Sequence, residues 1–381
     1  MTLGLANSTH AKVDGVDDIR ILKLLSVEEA AITYLHPYWT LTQCEGGWVG
    51  TQSEGGIAIS DVRDPAVLAP GNVIRLRSGA SVVTVLWRRG ARTNTLFATE
   101  RCNSLCLMCS QPPRVVDDDW RVAEMLDIIP LVDKAEAHLG ITGGEPTLLG
   151  DGLTKVLDAC RRELPETKLH VLTNGRNFRM PNDAANWIAA GGQMTTWAVP
   201  LYADVPDIHD EVVVAPGAFD ETLDGLYELA RNGARVELRV VLHALTVPRL
   251  RQLSAFIYRR LPFVDHVALM GLEPMGFAKG NRDRLWIDPA DYVDVLSDAV
   301  AFLANRSVNV SLYNLPLCVL PRHLWPFARQ SISEWKNNFP QTCGPCVVKA
   351  HCAGFFASAG PAWRSRNIQT ISLGDFTHAM A

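Results

Sequence analysis

From about residue 94 to residue 313 the sequence alternates short β-branched runs with longer amphipathic stretches, and this alternation leaves few folds open. Strand, helix and strand in repeated order require crossover connections, which give a parallel sheet with helices packed on it. Six runs read as strands: Thr95–Thr99, Leu139–Thr142, Lys168–Thr173, Thr195–Leu201, Arg235–His243 and Val264–Met270. Between the first two, Val122, Met125, Leu126, Ile129 and Val132 recur at helical spacing, an apolar stripe fit to cover a sheet. Gly152–Leu164, Pro181–Ala190, Ala218–Asn232 and Thr246–Leu261 each fit one helix. Asp288–Asn305 fits a sixth, with Asp288 as its cap and Pro289 at its first position. Six strands and six helices predict an α/β protein built on a partial (βα)6 barrel.

The flanks differ in texture. Residues 1–93 hold a helix signal at Val27–Leu35, glycine turns at Gly46-Gly47 and Gly55-Gly56, and strand-like runs Val73–Arg77 and Val82–Arg88. They predict a small β-rich N-terminal domain. Five arginines there (Arg75, Arg77, Arg88, Arg89, Arg92) read as a solvated strand face ahead of a binding strip. Beyond residue 313 the alternation stops and Cys, Pro and Trp dominate. The expected domains are therefore 1–93, 94–313 and a cysteine-rich extension, 314–381. With 36 Lys+Arg against 41 Asp+Glu the net charge is -5, so nothing draws the chain as a whole toward nucleic acid or anionic lipid. The first residues lack a basic start followed by an apolar stretch, and no run of ~18 apolar residues occurs. The expectation is a cytoplasmic protein that binds neither membrane nor nucleic acid.

Nine cysteines are unevenly spread. Three, Cys102, Cys106 and Cys109, fall within eight residues directly after the first barrel strand, on the face where barrels place their active sites. Three thiolates on one four-iron cluster leave one iron open to an exogenous ligand, whereas an electron-transfer cluster normally has four. A structural zinc site or coincidence is the competing reading, but C-x3-C-x2-C lacks the paired C-x2-C layout of common zinc modules. Four more, Cys318, Cys343, Cys346 and Cys352, supply enough thiolates for either a complete second cluster or a tetrahedral zinc. No side chain stands out as a catalytic acid, base or nucleophile.

The C-x3-C-x2-C run after the first strand of a β/α series resembles the radical S-adenosylmethionine superfamily. The resemblance implies a [4Fe-4S] cluster on Cys102, Cys106 and Cys109, with S-adenosylmethionine chelating the open iron. One electron would then cleave the cofactor to a 5′-deoxyadenosyl radical that abstracts a hydrogen atom from substrate. Gly143, Gly144, Glu145 and Pro146 match the family's Gly-Gly-Glu-Pro motif, which receives the methionine amino group; glycines let a ligand approach and Pro146 fixes the bend. Asn174, after the third strand, resembles pocket lining, or else marks a turn with Gly175. Arg239 is a candidate for the cofactor carboxylate, with a structural salt bridge as the alternative. Glu273, ending Met270-Gly271-Leu272-Glu273, resembles the adenine-side edge. Pro200 stands where the family often has a serine, which puts that contact in doubt. His209-Asp210 resembles a substrate-side pair or else a helix-start cap.

Cys343-x2-Cys346-x5-Cys352 resembles the C-terminal extension of radical peptide maturases, in an abbreviated form that continues Cys352-Ala-Gly-Phe-Phe356. Together with Glu100–Pro113 it is most similar to the radical SAM maturase of the His-Xaa-Ser peptide system. That resemblance implies an auxiliary [4Fe-4S] cluster, a ribosomally made precursor peptide as substrate, a reductant such as flavodoxin or ferredoxin, and a second radical SAM maturase as partner. A small-molecule substrate, as for the radical enzyme of molybdopterin synthesis, is the second reading. A non-catalytic iron–sulfur or zinc binding module is the third.

Overall fold

The computed structural model describes residues 8–32, 40–50, 56–330 and 338–377. Residues 33–35 of the expected first helix and the turn residue Gly55 lie outside them; the described part of that helix is α1, Val27–Ile32.

The described residues up to Trp87 form an eight-stranded sheet: β1 (Ser8–His10), β2 (Lys12–Asp14), β3 (Arg20–Leu25), β4 (Thr40–Cys44), β5 (Gly47–Gly50), β6 (Ala58–Ser60), β7 (Val73–Leu76) and β8 (Val82–Trp87). Its order is β1-β8-β7-β3-β4-β5-β6-β2. β1 and β2 hold the two ends of that order yet are separated by Ala11 alone, so the sheet curls until its ends meet and leaves little free edge. Along β3 and β7, Leu22, Leu24, Ile74 and Leu76 fill the inside, while Ile21 and Val73 turn outward into the larger core of the chain. Two of the five arginines tie this sheet to neighbouring elements. Arg75 pairs with Glu124 at 2.6 Å, and Arg89 reaches Glu29 and Asp133, so neither a bare strand face nor a binding strip describes them.

The second sheet is all parallel: β9 (Asn94–Phe97), β10 (His138–Thr142), β11 (Lys168–Leu172), β12 (Thr195–Pro200), β13 (Arg235–Leu242), β14 (His266–Gly271) and β15 (Val310–Tyr313), each paired to the next in sequence. The count is seven, where the sequence pattern predicts six. β15 is four residues long with a serine inside it, too short and mixed to register as a run; the free edge of β14 recruits it, and Val310 and Leu312 become buried. The helices are α2 (Trp120–Ile128), α3 (Asp151–Glu163), α4 (Pro181–Gly191), α5 (Pro206–Val213), α6 (Ala218–Arg231), α7 (Leu250–Arg260), α8 (Phe277–Gly280), α9 (Arg282–Leu285) and α10 (Pro289–Ala304). α10 begins as its sequence requires, Asp288 accepting the Ala290 N–H at 2.9 Å. The short helices α5, α8 and α9 were not legible as periodic segments.

Sequential parallel pairing with right-handed crossovers puts α2, α3, α4, α6, α7 and α10 on one face of the sheet, while α5, α8 and α9 pack with the loop at its carboxyl end. Trp197, Leu238, Val240 and Leu269 bury against the helices, and the alternate residues His170, Glu237, Arg239, His266 and Ser311 line the opposite, concave face. Among the described residues no helix is long and apolar enough to cross a membrane.

Candidate active site

The residues after β9 form a loop closed on itself by Asp118. This buried carboxylate accepts from the Thr99 hydroxyl at 2.9 Å and the Glu100 N–H at 2.5 Å, and pairs with Arg101 at 3.0 Å. Cys102, Cys106 and Cys109 ride on that loop, at the carboxyl end of the sheet. The loop is stitched on two sides. Leu105 and Leu107 donate to the carbonyls of Val213 and Val212 at 3.0 and 2.9 Å. On the other side the Phe277 N–H bonds the Cys109 carbonyl at 2.9 Å and the Asn281 amide bonds the Leu107 carbonyl at 3.0 Å. Gly276 (φ +56) makes this second seam possible, because a Cβ there would stand 2.3 Å from the Cys109 oxygen. Gly276 and Asn281 were not singled out by sequence; Gly276 carried only a generic turn signal.

Gly143 and Gly144 lie against the start of the same loop. A Cβ on Gly143 would fall 2.5 Å from the Thr99 oxygen, and one on Gly144 2.1 Å from the Arg101 oxygen. The Gly144 and Glu145 amides donate to those two carbonyls at 2.7 and 2.8 Å, zipping the glycine motif to the cysteine loop. Glu145 is completely buried and faces the protein. Its carboxylate accepts from the Thr147 N–H and hydroxyl, the Thr173 hydroxyl and the Asn174 N–H at 2.6–3.0 Å. Burial pushes that carboxyl upward, against the pull of these four donors. Glu145 therefore braces the β10 and β11 ends together, and Pro146 is buried beside it.

The Asn174 amide contacts Asn103 and lies 3.9 Å from the Cys102 sulfur, so this residue borders the cysteine loop. Arg239 points into the concave face with a contact to Glu237 at 3.3 Å. Glu237 also receives His266 at 2.8 Å and lies 3.3 Å from His170. Burial opposes ionisation of Glu237, but the two histidines and Arg239 outweigh it and hold the carboxyl well below the usual range. Glu273 is half-buried just past β14. Asp210 accepts from the Gly217 and Phe219 amides at 2.5 and 2.8 Å, which is the helix-start cap for α6. His209 is buried, its Nδ1 accepting the Tyr202 N–H at 3.3 Å.

All three loop thiols resist ionisation. Burial, then the Glu145 charge, pushes Cys102 up to about 11, and burial, then Cys109 and Cys102, pushes Cys106 up to about 12. Burial also raises Cys109. The thiols are close enough to feel one another, while among the described residues no three His, Cys, Asp or Glu side chains are grouped closely enough to hold one metal ion. At the second site Cys318 lies near Cys343 and Cys352, and Cys346 lies near both of those. Burial raises Cys318, Cys343 and Cys352, and each also feels charges of other members of the set. The Leu317 and Gly354 amides both aim at the Cys352 sulfur, at 3.4 Å each, as donors to a thiolate would.

Residues 96–251 match the family model described as the Radical SAM superfamily. This stretch resembles a radical SAM domain. Solved structures similar to the chain include a radical SAM methyltransferase from Sphaerobacter thermophilus, 14% identical with a TM-score of 0.45, over 81% of this chain and 82% of that one. Native anSMEcpe with bound AdoMet and Cp18Cys peptide is also 14% identical, with a TM-score of 0.43, over 57% of this chain and 62% of that one. Coproporphyrinogen III oxidase (HemN) from Escherichia coli is 14% identical, with a TM-score of 0.42, over 56% and 52%. The chain thus spans less than two thirds of the length of the latter two. No curated protein matches it. Radical SAM domains imply a four-iron cluster and S-adenosylmethionine, and the residues present fit them. Three thiols share one loop at the strand ends, near enough to feel one another's charge; the loop is fixed at both margins, beside a glycine pair whose missing side chains leave room for close approach.

Proposed function

We propose that this enzyme reductively cleaves S-adenosylmethionine at a cluster held by Cys102, Cys106 and Cys109 and uses the product to modify a ribosomally synthesised precursor peptide. When bound, the cluster supplies one electron to the cofactor, which yields methionine and a radical able to take a hydrogen atom from substrate. The chain's own residues hold and orient. The Asp118 and Asn281 hydrogen bonds fix the thiol loop, Gly143 and Gly144 form the edge where the methionine amino group is received, and Glu145 keeps β10 and β11 in register beneath it. Arg239 and Glu273 are assigned to the carboxylate and adenine sides.

The observation that supports a peptide substrate is the second thiol set. Four cysteines of the extension, near enough to feel one another's charge, suit an auxiliary [4Fe-4S] cluster, and the segment 343–356 resembles the extension of radical peptide maturases. The extension also walls the strand-end face, where Trp363 packs edge-on to Trp286 at 5.5 Å. A reductant of the flavodoxin or ferredoxin type and a second radical SAM maturase complete the proposed system.

Anaerobic reconstitution with iron and sulfide counting tests this, followed by assay of 5′-deoxyadenosine and mass analysis of peptides encoded beside the gene. About eight irons per chain are expected, and about four in C343S/C346S. One zinc with about four irons would replace the auxiliary cluster by a structural metal. Deoxyadenosine release with no mass change in any candidate peptide would reject the peptide substrate.

A further inference from the structure

Arg176 opens the turn after Gly175 and carries its guanidinium inward, 13% exposed. Nε donates to Glu221 of α6 at 2.6 Å; Nη1 donates to the Ser104 hydroxyl at 3.1 Å and to the Asn103 carbonyl. Both of those groups belong to the cysteine loop, between Cys102 and Cys106. α6 is brought this close because Gly225 has no side chain: a Cβ there would lie 2.0 Å from the Gly175 oxygen. The ion pair is therefore held with its cation toward the loop and its anion behind. Glu221 is in turn held by Arg179 at 2.8 Å on the exposed side. The charge of Arg176 reaches the Cys106 sulfur, where it opposes the effects of burial and of the neighbouring thiols.

We propose that Arg176 is a positioning residue that shapes the Asn103–Ser104 stretch and raises the reduction potential of the cluster on Cys102, Cys106 and Cys109, with Glu221 as the opposing charge. This rests on the cluster reading above. Reduction adds one electron, from an external reductant, and hence one negative charge to the cluster, with no bond made or broken. A fixed cation beside it favours the reduced state and a fixed anion disfavours it. Because Arg176 is nearer the loop than Glu221 is, the two residues act with opposite sign.

The test is an EPR-monitored redox titration with dithionite, following the signal that changes on addition of S-adenosylmethionine, together with iron counts. R176Q is expected to lower the reduced-to-oxidised ratio at fixed ambient potential about tenfold, a shift of about 59 mV to more negative values for one electron. E221Q is expected to shift the potential the other way, and R176K, which keeps the charge but not the fork, to stay near the wild type while losing iron more readily. Should R176Q fail to load iron, the upward shift in E221Q carries the test. Shifts of the same sign in R176Q and E221Q, or no shift in E221Q, would overturn the inference. Wild-type protein without iron at the first site would instead remove the cluster reading itself.

Discussion

His209 within α5 and His243 just beyond β13 are almost fully buried, and each uses Nδ1 to accept a backbone N–H, from Tyr202 and from Leu245 at 3.3 Å. Burial pushes them down to about 4 and about 3, so both stay neutral in the folded protein across the range in which an unfolded histidine, near 6.5, takes up a proton. The unfolded chain then binds more protons than the folded one, and stability falls as pH drops below about 6.5. With both sites contributing, the loss approaches about 2.7 kcal/mol per pH unit between roughly pH 6 and 4. Urea unfolding at pH 7 and pH 5 should show that dependence, reduced by about half in H243N, whose amide oxygen still accepts the Leu245 N–H. An unchanged slope in H243N would mean that this histidine is charged when folded. Glu145 shows what a single residue hides from sequence reading. Its motif marked it as cofactor-binding, but its carboxylate is taken up by four protein donors, which only the meeting of two strand ends supplies.

Between elements, the site is a set of close approaches. Three glycines govern how the cysteine loop seats: Gly143 and Gly144 after β10, and Gly276 ahead of α8. An added methyl at Gly144 meets the Arg101 carbonyl at 2.1 Å, and that backbone oxygen has no rotamer by which to move aside. G144A is expected to cost about 1–3 kcal/mol and to cut iron retention at the first site severalfold, measured by iron per chain after gel filtration. G276A adds an unfavourable positive φ to a clash with the Cys109 carbonyl and should behave similarly. Retention equal to the wild type in both variants would show that the loop seats independently of these seams. The glycine pair was readable because its motif is contiguous; Gly276 was not, because its partner lies more than 160 residues earlier in the chain.

At the level of the whole molecule, the N-terminal sheet is built onto the parallel-sheet unit rather than tethered to it. Ile21, Val73 and Trp87 bury in the same core as Met125, Ile129 and Leu131. Around that contact Lys23 donates to the Leu131 carbonyl at 2.8 Å, and Trp87 and Asn94 both donate to Glu136, at 2.9 and 3.0 Å. Deleting residues 1–93 would expose this apolar face, take Arg75 from Glu124 and Lys23 and Arg89 from Asp133, and take Trp87 from Glu136, which keeps Asn94. The remaining chain is expected to aggregate or bind a hydrophobic dye strongly. A soluble, dye-negative 94–381 fragment with full iron content would show the sheet to be dispensable to the fold.

The sequence by itself determined the parallel α/β architecture, six of its seven strands and the residues of both thiol sets, because each of these is written in local periodicity or short spacing. It could not supply β15, α5, α8 or α9, whose four to eight residues hold too little periodic signal and which take their structure from the edges and loops they cover. Nor could it say that the Glu145 carboxylate would be taken up by four protein donors, or that Cys318 would lie near enough to Cys343 and Cys352 to feel their charge. Those outcomes depend on which backbones can approach within hydrogen-bond distance, and only the packed chain decides that.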